Sequence, residues 1–419
     1  MKVLFLSQIV PYPPHGGVLQ RGYNLLRELG RHASVHLMAF VHPDELPTDA
    51  AREESLGVLQ GFCERVEYFS LWAKASSVHR VVALAAGVCS AKPFSTIAHR
   101  SAAFQRRVSE ALETVPFDLV HVDTVALSQF VNGRRKVPSV LTHHNIESIL
   151  MERRAQVETR PLIRRVLQRE SEKLARYEAL EAPQFDVNIM MSSHDEVTLT
   201  RRVPGLRTAV VPNGVDTEYF TPAPDQETPA LVYTGGMNMF ANRDAAMYFL
   251  DEIWPLITAQ APDVRFFAVG QDPTKELQDV AARDPRVMVT GKVPDIRPYV
   301  RQSAVYVVPL RVGGGTRLKV LDAMAMGKAL VSTSIGCEGI DVRPGEHLVL
   351  ADTPAAFAQA TVALLGDRAR RLELGRAARA LVERYYAWPV IGELLLGAYE
   401  QAIATEGPRR SASRLVANG

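Results

Sequence analysis

Strand-like and helix-like stretches alternate along almost the whole chain, and this alternation limits the fold more than any other feature. KVLFLS, VHLMAF, DLVHVD and SVLTHH are short, largely apolar stretches that read as buried strands. Between them, LQRGYNLLRELG and FQRRVSEALETV carry apolar residues at helical spacing. This is the α/β pattern, met most simply by a parallel sheet with helices on its faces. A second set follows in ALVYTGG, VRFFAVG, VMVTGKV, AVYVVPL and HLVLA, again with helical segments between. With 419 residues, 47% of them hydrophobic, the chain can bury two such cores.

The expected organisation is therefore two similar doubly wound, Rossmann-like domains. Residues 1–203 form the first. Residues 204–229, PGLRTAVVPNGVDTEYFTPAPDQETP, are rich in Pro, Asp and Thr and read as a linker or hinge. Residues 230–385 form the second domain, 386–408 a C-terminal helical segment and 409–419 a frayed tail. A long charged helical region is expected from about Ser148 to Leu180; its acids are interspersed with its bases, which favours a solvated face over a membrane-surface helix.

Charge and cysteine usage remove several classes of protein. A formal net charge of +2 is too small to argue for a nucleic-acid partner, although the pI lies on the basic side. Cys63, Cys89 and Cys337 are few, scattered and odd in number, which suits a reducing compartment better than a disulfide framework. The opening MKVLFLSQIVPYPP has a single Lys before a short apolar run and ends in prolines, so it reads as a buried first strand rather than an export signal. No apolar run approaches the roughly 20 residues needed to span a bilayer. A cytoplasmic location is expected, with peripheral attachment at the inner face of the membrane left open.

In doubly wound sheets, ligands sit beyond the carboxyl ends of the strands, and the informative residues lie there. After the first strand, PYPPHGG places Gly16 and Gly17 ahead of a helix. Glycines there let a ligand approach the backbone, and a helix N-terminus attracts an anion, although a plain tight turn accounts for them equally well. SVLTHH ends in the pair His143 and His144. Consecutive residues on an extended segment point opposite ways and no zinc-spaced cluster supports them, so acid–base work or polarisation of a hydroxyl fits better than metal binding, and a satisfied structural histidine remains an alternative. YTGGMNMFANRDA repeats the strand, glycine loop and helix design at Gly235 and Gly236. The most informative stretch is GGGTRLKVLDAMA. Gly313, Gly314 and Gly315 follow a strand, and Thr316 can open a helix carrying Lys319 and Asp322 on one face. Backbone amides and a cation suit a diphosphate, and a carboxylate one turn on suits ribose hydroxyls.

Taken together, GGGTRLKVLDAMAMGKALVSTSIGCEGI, VVPNGVD, THHNIES and PYPPHGG resemble the family 4 glycosyltransferases, retaining enzymes of the GT-B fold, with two Rossmann-like domains facing a central cleft. The nearer likeness is to sugar transferases of bacterial exopolysaccharide clusters, including exosortase-associated ones. The resemblance implies a UDP- or GDP-sugar donor held mainly by the second domain, and a glycan or lipid-linked acceptor presented by the first. It implies that Asp322 takes the place of the glutamate that binds the donor ribose, and that Arg317 and Lys319 bind the diphosphate and stabilise the leaving nucleotide. By the same matching, His144 is the active-site histidine near the transferred sugar, and Gly16 and Gly17 are the N-terminal phosphate-side loop. No metal or other cofactor is implied. The segment YYAWPVIGELLLGAYE resembles the helix that crosses back to the first domain.

The sequence departs from the family pattern twice. Gly314 stands where many members have the first of two glutamates, leaving sugar-hydroxyl contacts to loop amides and raising the question of altered activity. After the first strand of the second domain only Arg243 is present where an Arg and a nearby Lys are common. A sugar-nucleotide 2-epimerase of the same architecture and a noncatalytic sugar-nucleotide-binding protein are the alternatives. A dinucleotide dehydrogenase fits poorly, because the GxGxxG fingerprint and its acidic partner are missing.

Overall fold

The computed structural model describes residues 1–14, 16–74, 76–131, 137–223, 227–313 and 317–416. The chain divides into two compact units, Met1–Pro212 with Ile391–Gly419, and Asn213–Val390.

The first unit is built on seven parallel strands: β1 (Lys2–Ser7), β2 (Ser34–Val41), β3 (Arg65–Ser70), β4 (Leu119–Val122), β5 (Ser139–His143), β6 (Val187–Met190) and β7 (Thr208–Val210), in the order β3-β2-β1-β4-β5-β6-β7. Central β1 and β4 are covered on both faces, which explains their largely apolar sequences. At the edge, β3 is only half-buried, and its sequence RVEYFS mixes charged and apolar residues. Phe40, Phe104 and Phe130 pack in the core, with the first two rings stacked at 4.5 Å.

One expectation is corrected in this unit. The linker does not begin at Pro204, because Thr208–Val210 is a strand with main-chain pairing to β6, and the unit continues to Pro212. The charged helical region consists of two helices, Glu147–Val157 and Pro161–Glu181. Pro161 at the first helical position lacks an N–H to continue the earlier helix and is well suited to open a new one.

The second unit repeats the plan with six strands: β8 (Thr228–Thr234), β9 (Arg265–Val269), β10 (Val287–Val289), β11 (Ser303–Val308), β12 (Ala329–Ser332) and β13 (Val349–Leu350). Their order is β10-β9-β8-β11-β12-β13, and every pair is parallel. In each sheet the order reverses beside the first strand, between β1 and β4 in one unit and between β8 and β11 in the other. The helix Trp388–Val416 leaves the second unit and from Ile391 belongs to the first; it runs through residues 409–416, read from sequence as a tail. Within the first unit, its buried Tyr399 hydroxyl lies 2.6 Å from His121 Nδ1.

Candidate active site

Doubly wound sheets bind ligands beyond the strand ends where the strand order reverses, and most of the expected donor-binding residues that are described converge at the reversal between β8 and β11. The chain leaves β8 through Gly235, where φ is +148°, and enters the helix Phe240–Tyr248. A Cβ on Gly235 would stand 2.6 Å from Lys319 Nζ and 2.8 Å from Asn242 Nδ2, so both the backbone angle and the crowding require glycine. Gly236 contributes its carbonyl, which accepts from Asn242 Nδ2 at 2.9 Å.

Lys319 reaches this loop from the helix Leu318–Ala325. Its Nζ donates to Asn242 Oδ1 at 2.6 Å and to the Tyr233 hydroxyl at 3.0 Å, and lies 4.2 Å from the centre of the Tyr233 ring. The Tyr233 hydroxyl in turn donates to Asn242 Oδ1 at 2.9 Å. Its hydrogen-bonding partners are therefore neutral. Burial, reinforced by Arg317, pushes the Lys319 ammonium down to about 7, while Asp322 pulls the other way. Asp322, one turn along, is buried, and its Oδ1 has no hydrogen-bond partner. Burial pushes its carboxyl up to about 8 against the opposing effect of Lys319. A buried acceptor without a donor is costly, so an atom of this kind calls for a donor from outside the chain or another specific explanation.

Arg317 packs against Gly313, whose Cβ would meet its Nη2 at 2.5 Å, and donates to the Ile335 carbonyl at 3.4 Å in the loop after β12. Close by, Tyr306 on β11 shares a 2.6 Å hydrogen bond with Thr234; burial lifts its phenol, and Asp322 adds to the effect. Gly314, Gly315 and Thr316 lie outside the described residues, and the described helix begins at Leu318. Arg243 is exposed, stacked at 5.9 Å on Phe240, and is not among the groups around Lys319.

In the first unit, the polar residues gather at the corresponding reversal. Asp123, the residue after β4, is buried and lies 3.0 Å from His144 Nε2 and 3.4 Å from Ser7 Oγ. Burial favours its neutral form, but His144, His121 and Arg21 outweigh this and hold the carboxyl below its usual range. His143 points the other way, 3.0 Å from Asn188 Oδ1, and burial pushes its imidazole down to about 4. One histidine of the pair is thus structural, and the other is held by a carboxylate in an orientation suited to proton transfer or hydroxyl polarisation. Glu147 opens the next helix and accepts from Thr124 at 3.1 Å; burial raises its carboxyl. Gly16, with φ +101°, precedes the helix Gly17–Leu29 and has open space where a Cβ would stand, so its requirement is the backbone angle alone. The buried Arg21 of this helix donates to the carbonyls of Val211 and Pro212 at 2.9 and 2.7 Å.

Sequence reasoning missed Asp123, Tyr233 and Asn242. The signal for Asp123 was its place directly after a central strand; for Asn242, its fall in the first turn after a glycine loop. Among the described residues no cluster of three His, Cys, Asp or Glu side chains could hold a metal ion, and no helix is long and apolar enough to cross a membrane.

Two parallel Rossmann-like units in one chain, each with polar residues at its strand-order reversal, define the architecture of GT-B glycosyltransferases. Solved structures agree on the fold. Sucrose-phosphate synthase from Thermosynechococcus elongatus matches with a TM-score of 0.71 at 18% identity, covering 97% of this chain and 100% of that one. Anabaena HepE in complex with UDP matches with a TM-score of 0.67 at 16% identity, covering 96% and 100%. The model of Glycosyltransferase Family 4 matches residues 15–219, and that of Glycosyl transferases group 1 matches residues 228–367. The chain thus carries a Glycosyltransferase Family 4 domain followed by a Glycosyl transferases group 1 domain. Phosphatidyl-myo-inositol mannosyltransferase of Mycobacterium tuberculosis is 28% identical over 45% of this chain and 53% of its own length. An uncharacterized protein of the cps region of Klebsiella pneumoniae is 24% identical over 31% of this chain and 35% of its own. The alignments thus span about half or less of these curated relatives.

Proposed function

We propose that this protein transfers a sugar, with retention of configuration, from a UDP- or GDP-sugar to a hydroxyl of a polysaccharide or lipid-linked glycan in cell-surface or exopolysaccharide biosynthesis, in the cytoplasm and without a metal. The observation that carries the reading is the buried, unpartnered Asp322 Oδ1 one turn from Lys319 at the β8/β11 reversal. Ribose hydroxyls would donate to Asp322. Lys319 and Arg317 would face the diphosphate and stabilise the charge that grows on it as the bond from the anomeric carbon to the phosphate oxygen breaks. The acceptor oxygen then bonds the anomeric carbon, and its proton leaves on the departing diphosphate. His144, fixed by Asp123, would hold a hydroxyl of the transferred sugar. The complexes of HepE with UDP and with UDP-glucose support the donor class, and the phosphatidyl-myo-inositol mannosyltransferase and the cps-region protein support the acceptor class.

The test is thermal stabilisation by UDP, GDP, ADP and their sugars, followed by turnover with and without a glycan acceptor. Stabilisation by one nucleotide family, absent in Lys319→Ala, with acceptor-dependent release of nucleotide, is expected. Full activity of Lys319→Ala would remove the phosphate assignment; conversion of the sugar nucleotide without an acceptor would make the protein an epimerase, and binding without turnover a noncatalytic one.

A further inference from the structure

Glu147 is a carboxylate that the fold does not need. It is the first residue of the helix Glu147–Val157, where an acid commonly serves the free amides and the positive end of the helix dipole. That place is taken. Ile146, the residue before the helix, offers no side-chain cap, and the buried Glu178 reaches in from the helix Pro161–Glu181 instead. Its Oε1 accepts from the Ser148 N–H at 3.2 Å and its Oε2 from the Ser148 hydroxyl at 2.5 Å. Glu147, partly buried, meets Thr124: the Thr124 hydroxyl donates to its Oε1 at 3.1 Å. Among the described residues this is the one hydrogen bond of the Glu147 side chain, and no Lys or Arg pairs with it. An ionised carboxylate has room for about four hydrogen bonds, so most of its accepting capacity is unused.

The surroundings narrow what could use it. Asp123 and Thr124 follow β4 directly, at the strand-order reversal of the first unit. Asp123 holds His144 at 3.0 Å and Thr124 holds Glu147, so two consecutive residues fix an imidazole and a carboxylate at the same strand end. Burial raises the Glu147 carboxyl; Thr124 and His144 oppose this, and Glu170 adds to it. An acid kept in such a place weakens the fold where a neutral side chain would not, unless a ligand offsets the cost. An anionic ligand would meet a like charge with no cation paired to it. A neutral donor of several hydrogen bonds meets none, and the hydroxyls of a carbohydrate are of that kind.

We infer that Glu147 binds a hydroxyl of the acceptor sugar and so helps to select the acceptor. The inference rests on the transfer reading above, in which the first unit presents the acceptor. The carboxylate accepts a hydrogen bond from a hydroxyl other than the attacking one and takes no proton; the proton of the attacking hydroxyl still leaves on the diphosphate. Nucleotide release at saturating donor is measured against octyl α-glucoside, octyl α-mannoside and octyl β-galactoside, beside calorimetric titration of the nucleotide sugar alone. Glu147→Gln is expected to raise the acceptor KM about tenfold, equivalent to about 1.4 kcal/mol, with kcat, nucleotide-sugar affinity and melting temperature nearly unchanged. Thr124→Val, which removes the bond that places the carboxylate, should raise it about threefold. Among monodeoxy analogues of the glycoside used, the one that costs the wild type about tenfold should cost Glu147→Gln little, a coupling that a merely structural role would not produce. An acceptor KM unchanged in Glu147→Gln overturns the assignment, as does the absence of that coupling. Weakened nucleotide-sugar binding in Glu147→Gln overturns it as well and moves the residue to the donor. A wild type that binds the nucleotide sugar but releases no nucleotide with any glycoside contradicts the transfer reading itself, and the acceptor role falls with it.

Discussion

The pair Lys319 and Asp322 makes donor binding depend on pH in a way that can be worked out beforehand. A diphosphate calls for the charged ammonium, and ribose hydroxyls call for the ionised carboxylate. In the unliganded site the ammonium sits near 7 and the carboxyl near 8, so burial favours the opposite, neutral forms. Taking the two as titrating independently, at pH 7.5 each is about one-quarter in its binding form, and the doubly competent state is about 6% of the population. At pH 6 the carboxyl is about 99% protonated, and at pH 9 the lysine is about 99% neutral, so the competent fraction falls to about 1% at either end. The apparent Kd should therefore be lowest near pH 7.5 and about sixfold weaker at pH 6 and pH 9, a difference of about 1 kcal/mol. Proton exchange must change sign as well: binding takes up about one proton on Lys319 at pH 9 and releases about one from Asp322 at pH 6. Isothermal titration of a nucleotide sugar, whose phosphodiester oxygens do not titrate in this range, in buffers of different ionisation enthalpy measures both quantities. Lys319→Met should abolish the alkaline limb, and Asp322→Asn the acid one. An affinity flat within twofold from pH 6 to pH 9, or a bell that survives in Lys319→Met, would refute the reasoning.

Three further outcomes follow from the same geometry. Gly235→Ala adds a methyl 2.6 Å from Lys319 Nζ at a φ of +148° and should weaken donor binding at least tenfold by titration calorimetry, with far-UV dichroism unchanged. His144→Ala should lower kcat by about a hundredfold or more, and Asp123→Asn, which leaves the ring without its carboxylate, by at least tenfold in a nucleotide-release assay. Because burial, against the opposing effect of Lys319, sets Asp322 well above an unfolded carboxyl, its burden on the fold grows as pH rises from about 4 to about 8; urea midpoints of Asp322→Asn should therefore gain on the wild type across that window.

Both units were legible in the sequence because their central strands are buried on both faces and carry little but apolar residues. The glycine loops were legible as well, since Gly235 answers a backbone and a packing demand that no other residue meets. Tyr233 and Asn242 were not, although they are the partners of Lys319. In ALVYTGG the tyrosine reads as one more β-forming aromatic, and nothing local tells that its hydroxyl ends beside a lysine 86 positions away. Asp123 has the same difficulty, as its partner His144 arrives on another strand. The strand Thr208–Val210 was lost in a Pro-rich surrounding, because three residues are too few for a periodicity to emerge.

The return of the chain at Ile391 sets an order on synthesis. The second unit is a single contiguous segment and can finish folding as soon as Val390 has cleared the ribosome. The first unit begins earlier and finishes later: His121, stacked on Phe5 in the middle of its sheet, must wait 278 residues for the hydroxyl of Tyr399. The older half of the molecule therefore remains open at one place throughout the synthesis of the younger half, and a nascent chain halted before that tyrosine would present a buried histidine without its partner to the cell's folding machinery.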